Sequence, residues 1–313
     1  MRKVLVFVLL LAFVVSVPAV SVASTFPSGP ITMLVNFSAG GGTDLTSRAF
    51  ADAASRILGV PIVISNVPGG FGSVGVAELM NRPNDGYTIG VATLAPLAIV
   101  PWQMEVPYTP DDFEFICAFG QYGYGIVVRA DSPINTIDDL LEAARAVGRM
   151  NFGVTGFPQP FAMDLLGEYA GVEFIRVPYT NTPELVTDIL GGFIEVAVVD
   201  QSTFVSYVLS GQMTLLASAS DQRWETAPEI PTLQELGFDI ALLSFMGLAV
   251  PAGIDPERLR ILREAFAAAA EDEIYREILS TSNFLFAFLS GEEYEQLIRH
   301  YREHYRVLLT EAE

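Results

Sequence analysis

Short apolar runs alternate with longer segments whose apolar positions recur every three or four residues. In the first third of the chain this pattern predicts strands at Ile31 to Val35, Pro61 to Ser65 and Tyr87 to Thr93, with helices at Thr43 to Leu58 and Val74 to Met80 between them. Strand–helix–strand alternation is typical of a parallel sheet covered by helices. One α/β unit is therefore predicted here.

The alternation restarts near residue 126. Five of the next predicted elements carry the strand pattern and three the helical one. The strands are Ile126 to Arg129, Asn151 to Val154, Glu173 to Val177, Ile194 to Val199 and Met213 to Ala217, and the helices are Thr136 to Val147, Ala162 to Tyr169 and Pro183 to Leu190. Ala241 to Val250 is a further long apolar strand. The rest of the chain is rich in charged residues and is predicted to be helical, and its periodicity assigns it to neither sheet. The predicted helices are Asp255 to Ala270, Glu271 to Ser280 and Glu292 to Leu309.

The prediction is thus an α/β protein of two lobes. No low-complexity linker or internal repeat separates the units, so we expect two strand crossings to join them, near Tyr124 to Ala130 and near Leu242 to Val250. Lobe 1 is predicted to comprise residues 24–125 plus 246–313, and lobe 2 residues 126–245.

Residues 1–23 have the pattern of a signal peptide. Arg2 and Lys3 precede the apolar run Val4 to Val17, and Ser21-Val22-Ala23 offers small residues for cleavage. The run is shorter than the roughly 20 residues that span a bilayer, and no cysteine stands near it to carry a lipid. We expect a protein that is periplasmic or otherwise exported and soluble after cleavage.

Composition narrows the classes of partner. The chain has 313 residues, 51% of them hydrophobic and 17% charged, which is typical of a globular protein, and its formal charge is −20. An acidic protein is repelled by phosphate backbones, so no nucleic acid is expected as a partner. Lys3 is the only lysine, so the mature chain would lack Schiff-base and P-loop chemistry.

A glycine-rich loop, Phe37 to Asp44, follows the first strand and reads Phe-Ser-Ala-Gly-Gly-Gly-Thr-Asp. Three glycines allow close approach of the backbone to a ligand, and the following helix N-terminus attracts anions. The loop also lies at the carboxyl end of a strand, where open α/β sheets bind ligands. The blander alternative is that Thr43 or Asp44 caps the helix and the glycines serve only the turn.

Signals for cofactors, metals and catalysis are weak. Gly70 to Gly75 matches the dinucleotide pattern G-x-G-x-x-G, but Ala92-Thr93-Leu94-Ala95 offers no carboxylate for a ribose. His300 and His304 are four positions apart on a helix and could share a metal, but the sequence specifies no third ligand, and a solvated helix face is the better interpretation. Cys117 stands in an apolar run and is predicted to be a buried hydrophobe. No cofactor, no metal and no catalytic residue is therefore predicted.

Several motifs together resemble those of one family, the periplasmic solute-binding receptors of tripartite tricarboxylate transporters. The resemblance covers nearly the whole chain after residue 23. Its motifs are Phe26 to Ile31, Phe37 to Asp44, Asn66 to Gly70, Asp85 to Thr88, Val177 to Tyr179, Thr187 to Gly192 and Val250 to Gly253.

The resemblance implies a type II periplasmic-binding-protein-like fold that closes on a small organic carboxylate, without catalysis, and delivers it to membrane transporter subunits. It also implies a monomer. In the family one loop from each lobe grips a carboxylate, which here corresponds to Phe37, Ser38, Ala39, Gly40, Gly41 and Asp44 on one side and Tyr179, Thr180, Asn181 and Thr182 on the other. By the same resemblance, Thr93, Thr155, Gly156, Phe161 and Asp200 line the cleft.

This sequence departs from the family pattern at four places. Ala39 replaces a proline, Thr180-Asn181 replaces lysine-glycine, Pro183-Glu184 replaces alanine-proline, and Phe161 replaces a histidine. The loss of two cationic side chains favours a monocarboxylate with an apolar or aromatic body over a di- or tricarboxylate. Such a body would suit Phe157, Phe161 and Tyr179.

Two alternatives stay open on the sequence. A sensory protein that presents its ligand to a membrane kinase would use the same binding chemistry. An exported hydrolase or lyase would use Asp44 or Asp200 as a base, although no nucleophile or metal site accompanies either residue.

Overall fold

A computed structural model describes residues 26–179 and 182–310 of the chain. The predicted signal peptide and two predicted site residues, Thr180 and Asn181, lie outside this range. Within it, no helix combines the length and apolarity needed to cross a membrane.

Eleven strands are found among the described residues. They are β1 (Ile31–Val35), β2 (Ile62–Asn66), β3 (Thr88–Val91), β4 (Phe113–Gln121), β5 (Tyr124–Arg129), β6 (Arg149–Val154), β7 (Glu173–Pro178), β8 (Val196–Asp200), β9 (Met213–Ser218), β10 (Phe245–Pro251) and β11 (Leu289–Ser290). The first sheet has the order β11-β4-β10-β3-β1-β2 and the second the order β7-β6-β8-β5-β9.

The described part of the chain also forms ten α-helices. They are α1 (Gly42–Leu58), α2 (Ser73–Met80), α3 (Leu94–Ala98), α4 (Ile137–Val147), α5 (Pro160–Ala170), α6 (Thr182–Gly191), α7 (Gln201–Leu209), α8 (Pro256–Ala269), α9 (Glu273–Thr281) and α10 (Gly291–Thr310). Helices alternate with parallel strands in both units, so the predicted class of two α/β units is confirmed.

The parallel strands carry their loops to shared edges. β1 pairs with β2 and β3 in parallel, and β6 pairs with β7 and β8 in parallel. The carboxyl ends of each group therefore lie together, and the loops that follow them can build one site. β4, β10 and β11 complete the first sheet in antiparallel pairings, as β5 and β9 complete the second.

Two crossings run side by side between the sheets. β4 passes into β5 through Tyr122 and Gly123, and the chain returns to β10 at Ser244. The Tyr122 N–H donates to the Ser244 carbonyl at 2.8 Å. A Cβ on Gly123 would lie 2.4 Å from the side-chain oxygen of Gln201, so a larger residue at this crossing would displace the buried Gln201 side chain.

The structure corrects three sequence-based expectations. The strand predicted at Ala241 to Val250 begins only at Phe245, because the preceding residues form the crossing. β4 and α7 were not predicted: β4 is buried along almost its whole length and so shows no alternation. The terminal helices do belong to a sheet unit, since α8 and α9 pack on α1 and α10 packs on β4.

Candidate functional site

A cavity of about 480 Å³ lies between the two sheets, where the loops that follow the parallel strands face each other. Its volume falls in the range of small-molecule sites. The described residues that line it are Phe37, Ser38, Gly41, Gly42, Thr43, Phe71, Thr93, Ala95, Tyr122, Tyr124, Thr155, Gly156, Phe157, Gln159, Thr182, Asp200, Ser202, Thr203, Ser244 and Phe284.

The first-sheet side of the cavity presents the N-terminus of α1. Gly41 is the N-cap residue and supplies no side-chain hydrogen bond, so the amides of the first helical turn lack the usual cap. Gly41, Gly42 and Thr43 all line the cavity. The uncapped N-terminus of this 17-residue helix can attract an anion, because backbone N–H groups and the helix dipole both favour negative charge.

Gly42 lies close to the aromatic ring of Phe284, another residue of the cavity lining. A Cβ at this position would lie 2.6 Å from that ring. The first turn of α1 can therefore approach Phe284 this closely only because position 42 has no side chain.

Asp44 supports the glycine loop from behind. It is 2% exposed, and its carboxylate accepts hydrogen bonds from the Gly40 amide at 2.9 Å, the Asn66 amide at 2.8 Å and the Arg48 guanidinium at 2.9 and 3.0 Å. Burial raises the pKa of Asp44, but these bonds together outweigh burial and hold the pKa below its ordinary value. Asp44 is thus a fixed anion that positions the loop, and its oxygens are already engaged.

The second-sheet side presents a different arrangement at Gln159. This side chain is 4% exposed and lines the cavity. Its Oε1 accepts from the Gly156 amide at 2.8 Å and the Thr155 amide at 3.0 Å. The backbone donors of this loop are therefore occupied by a side chain of the protein.

Asp200 closes the N-terminus of α7 in a similar way. Its Oδ1 accepts from the Thr203 amide at 2.9 Å and from the Ser202 hydroxyl at 2.6 Å. Among the described residues that line the cavity, Asp200 is the one with a charged side chain. The dipole of α7 is consequently satisfied from within the chain.

Two tyrosines also line the cavity, Tyr122 at the crossing and Tyr124 at the start of β5. The Tyr122 hydroxyl is hydrogen-bonded to the Thr43 hydroxyl, and the two tyrosine rings stack with centroids 6.3 Å apart. Burial raises the pKa of Tyr122 and of Tyr124, so both stay neutral at ordinary pH. They offer neutral hydroxyl groups.

Phe71 and Phe157 meet across the cleft. Phe71 belongs to the loop after β2 and Phe157 to the loop after β6, and their rings meet edge to face with centroids 5.7 Å apart. Phe71 holds a positive φ of 55° although it is not a glycine, and it is 52% exposed. The contact joins the two sides of the cleft at the cavity wall.

A smaller cavity of about 110 Å³ adjoins the main one through shared residues, and Tyr179 and Arg176 line it. The Tyr179 hydroxyl donates to Asp188 at 2.7 Å, and burial followed by this bond raises the pKa of Tyr179 to about 12. Arg176 pairs with Asp164 at 3.1 Å.

The predicted site residues divide into two groups. The structure brings one group together around the main cavity: Phe37, Ser38, Gly41, Thr93, Thr155, Gly156, Thr182 and Asp200. It places the other group away from that cavity wall: Ala39, Gly40, Asp44, Phe161 and Tyr179. Phe161 is 3% exposed and packs on Tyr305 of α10 with ring centroids 4.8 Å apart, so it belongs to the core and does not wall the pocket.

Sequence reasoning missed several lining residues. Gln159, Tyr122, Tyr124, Ser244 and Phe284 were not singled out, although Gln159 stands in the Phe-Pro-Gln-Pro segment just after a predicted strand. That position was a usable signal. Of the other four, Tyr122 and Ser244 lie on the crossings, Tyr124 begins β5 and Phe284 precedes β11, and they reach the site only through the tertiary fold.

Metal and thiol chemistry find no support in the described residues. No group of three or more His, Cys, Asp or Glu side chains there could hold a metal ion. Cys117 is buried, and burial raises its thiol pKa, as expected for a hydrophobe.

The comparisons with known proteins agree on one protein family. The model of the tripartite tricarboxylate transporter family receptor matches residues 46–312. A Cupriavidus necator protein described as "UPF0065 protein in gbd 5′region" is 33% identical over 285 residues, which cover 90% of this chain and 86% of that protein.

Solved structures agree on the fold. A TctC solute-binding protein from Polaromonas, determined without ligand, has a TM-score of 0.79 and 31% identity over 92% of this chain and 100% of that one. An R. palustris protein with adipate has a TM-score of 0.77 and 22% identity, over 90% of this chain and 96% of that one. The second likeness shows the fold alone.

Proposed function

Since the chain belongs to the tripartite tricarboxylate transporter receptor family, we propose that it captures a small organic carboxylate in the cavity between the two sheets and delivers it to membrane transporter subunits. Members of the family are periplasmic receptors, and its structural neighbours are solute-binding proteins, not enzymes. A carboxylate-binding role is consistent with the neighbour that holds adipate.

The uncapped N-terminus of α1 is the observation that carries the proposal. It opens into the cavity at Gly41, Gly42 and Thr43, with backbone donors that nothing in the described chain caps from a side chain. A carboxylate there would gain charge-assisted hydrogen bonds and the favourable end of the helix dipole. Backbone donors act locally, so they can attract an anion even in a protein of formal charge −20.

Capture would proceed by closure of two lobes. We assign residues 24–125 plus 246–313 to one lobe and 126–245 to the other, hinged at Tyr122–Gly123 and Ser244. A ligand that contacts loops from both lobes favours the closed arrangement by the difference in its affinity for the two states. The Phe71–Phe157 contact would add to that closed arrangement.

The alternative of a hydrolase or lyase is disfavoured by the acids it would need. Asp44 is buried and fully engaged with Arg48, Asn66 and the Gly40 amide. Asp200 is engaged as a helix cap. Neither carboxylate is arranged as a free general base.

Export and assembly follow from the same proposal. Residues 1–23 would direct export and be removed, and the mature receptor would act as a monomer that docks on its transporter subunits. No cofactor and no metal are required for capture, because the α1 amides supply the positive end.

The decisive experiment compares acids with their amides on two matched variants. Thermal unfolding of the purified protein would be followed with pentanoate, hexanoate, benzoate and adipate and with the corresponding amides. A ligand at 100 times its Kd adds about 2.7 kcal/mol of stability, which raises Tm by several degrees. We expect at least one acid, and not its amide, to produce such a shift.

Gly41→Asp tests the position of the carboxylate. Gly41 has φ −76° and ψ 166°, which an aspartate N-cap adopts, so this variant should place its own carboxylate on the α1 amides. Without ligand, this variant should be at least as stable as the wild type. The rise in Tm that the acid produces in the wild type should disappear. Gly41→Ala, whose Cβ would lie 3.5 Å from the nearest atom, should retain the shift. An undiminished shift in Gly41→Asp would place the carboxylate elsewhere and refute the proposal.

A further inference from the structure

Gln159 has a geometry that the capture of a carboxylate on α1 does not explain. It stands on the opposite side of the cavity, nearly completely buried, with its oxygen turned toward the loop between β6 and α5. Two backbone amides and one hydroxyl donate to that oxygen, from Thr155 at 3.0 and 3.3 Å and from Gly156 at 2.8 Å.

These donors fix which atom of the Gln159 amide is the oxygen. The atom next to two backbone N–H groups has to be an acceptor, so the oxygen is the atom that faces the amides of Thr155 and Gly156. The nitrogen has one contact in the described chain, a long one of 3.4 Å to the Thr155 hydroxyl. At least one of its two hydrogens therefore has no acceptor in the described chain, and Gln159 lines the cavity.

Gln159 thus takes up two backbone donors of its loop and offers an N–H group of its own at the cavity wall. The charge of that wall is also defined, because Asp200 is the one charged side chain among the described lining residues. A second carboxylate on a ligand would meet a neutral donor and a negative side chain. A neutral acceptor would meet the donor without the repulsion.

We propose that Gln159 is a specificity-determining residue that selects ligands whose second polar group is a neutral hydrogen-bond acceptor, such as a keto or amide carbonyl, at the end of the molecule away from the carboxylate. This inference rests on the proposed function, because the first carboxylate is placed on α1. It names the substrate class as monocarboxylates with a distal carbonyl.

The test uses three matched series of acids of five to seven carbons: unsubstituted acids, acids with an oxo group on the last-but-one carbon, and acids with an amino group there. The Kd of each would be measured by calorimetry for the wild type, Gln159→Leu and Gln159→Glu. In the Glu variant one carboxylate oxygen can take the two loop amides, which leaves the other oxygen toward the cavity as an acceptor.

The ratio of affinities is the readout, because a merely structural role would lower all three series by one factor. For the wild type we expect the best oxo acid to bind about fivefold more tightly than the unsubstituted acid of equal length. Gln159→Leu should bring this ratio close to one. Gln159→Glu should reverse the preference, so that the acids with an amino group on the last-but-one carbon bind more tightly than the oxo acids.

Two results would overturn the inference in distinguishable ways. If Gln159→Leu weakens oxo and unsubstituted acids by the same factor, Gln159 only stabilises its loop, and the carboxylate-binding proposal stands. If none of the acids binds the wild type, the proposed function fails and the assignment of Gln159 fails with it. Circular dichroism of each variant would verify that it is folded.

Discussion

The two sides of the cleft share one backbone architecture, but the amides of their loops differ in their hydrogen-bond partners. On both, a loop follows a parallel strand and leads into a helix, so backbone amides converge on the cavity. On the first-sheet side the α1 amides have no side-chain cap. On the second-sheet side Gln159 occupies the amides of Thr155 and Gly156, and Asp200 caps α7.

The difference shows that topology places a donor-rich loop at the cleft, whereas single side chains decide what the loop can bind. The same backbone arrangement attracts an anion when it is bare and becomes neutral or negative when a Gln or Asp fills it. A ligand in this cleft is therefore expected to be polarised, with its charge toward α1 and its neutral end toward Gln159.

The largest effect is expected from Asp44→Asn, which would break the first-sheet side. The Asn amide group would face donors from Gly40, Arg48 and Asn66, leaving buried groups unpaired, so stability should fall by about 2 kcal/mol and carboxylate binding should weaken with the loop. Chemical denaturation would measure the free energy of unfolding, and calorimetry would measure the Kd of the carboxylate. Asp52→Asn, an exposed position on the same helix, is the control and should change neither.

The difference in unfolding free energy between the wild type and Asp44→Asn should change with pH in one direction. The pKa of Asp44 is lowered in the folded state, so its carboxylate contributes stability above the ordinary pKa of about 4, and this contribution is lost as pH falls through the folded-state pKa. The stability gap between the wild type and Asp44→Asn should accordingly narrow as the pH falls below about 4. A gap that widens on acidification would contradict the assigned bonds.

A smaller effect is expected from Asp200→Asn, which would make the second-sheet side less negative. Asn caps a helix about as well as Asp, so the fold should hold, while removal of the negative charge should strengthen carboxylate binding by on the order of 1 kcal/mol, or about fivefold. Calorimetry in low salt would measure the change. Asp138→Asn on α4 removes an exposed charge away from the cavity and should leave affinity unchanged; an equal gain there would indicate a general charge effect.

The smallest effect is expected from Phe71→Ala, which would remove the aromatic contact between the two sides. An edge-to-face pair contributes about 0.5–1.5 kcal/mol beyond its buried area, and Phe71 is half exposed, so the lower end of this range applies and affinity should fall about twofold, mainly through faster dissociation. Val74→Ala, a similarly exposed apolar position nearby, serves as the comparison. Equal dissociation rates in the two variants would show that the Phe71 contact does not hold the cleft closed.

Local sequence signals predicted much of the first-sheet side. The strand Ile31–Val35 and the glycine loop with its following helix lie where periodicity and glycine content indicated. The loop belongs to the cavity, but Asp44 turned inward, because Gly40 and Asn66 converge on it only when β1 and β2 are paired. No sequence pattern encodes that pairing.

The second-sheet side was predicted less well. Phe161 looked like a pocket aromatic, yet it packs on Tyr305, which is 144 positions further along the chain. Tyr122 and Ser244 lie on the crossings and Tyr124 begins β5 directly after one of them, so their place in the site depends on how the two sheets meet. Contacts between residues so distant in sequence leave no periodicity to read.

The sequence by itself determined the α/β class, the two-unit organisation and the place of a glycine-rich loop at the carboxyl end of a strand, because periodicity, glycine content and strand–helix junctions are local properties. Only the tertiary structure decided which backbone amides stay open. An amide is open or filled according to whether a side chain can reach it, and that depends on the paths by which loops such as 155–159 fold back on themselves.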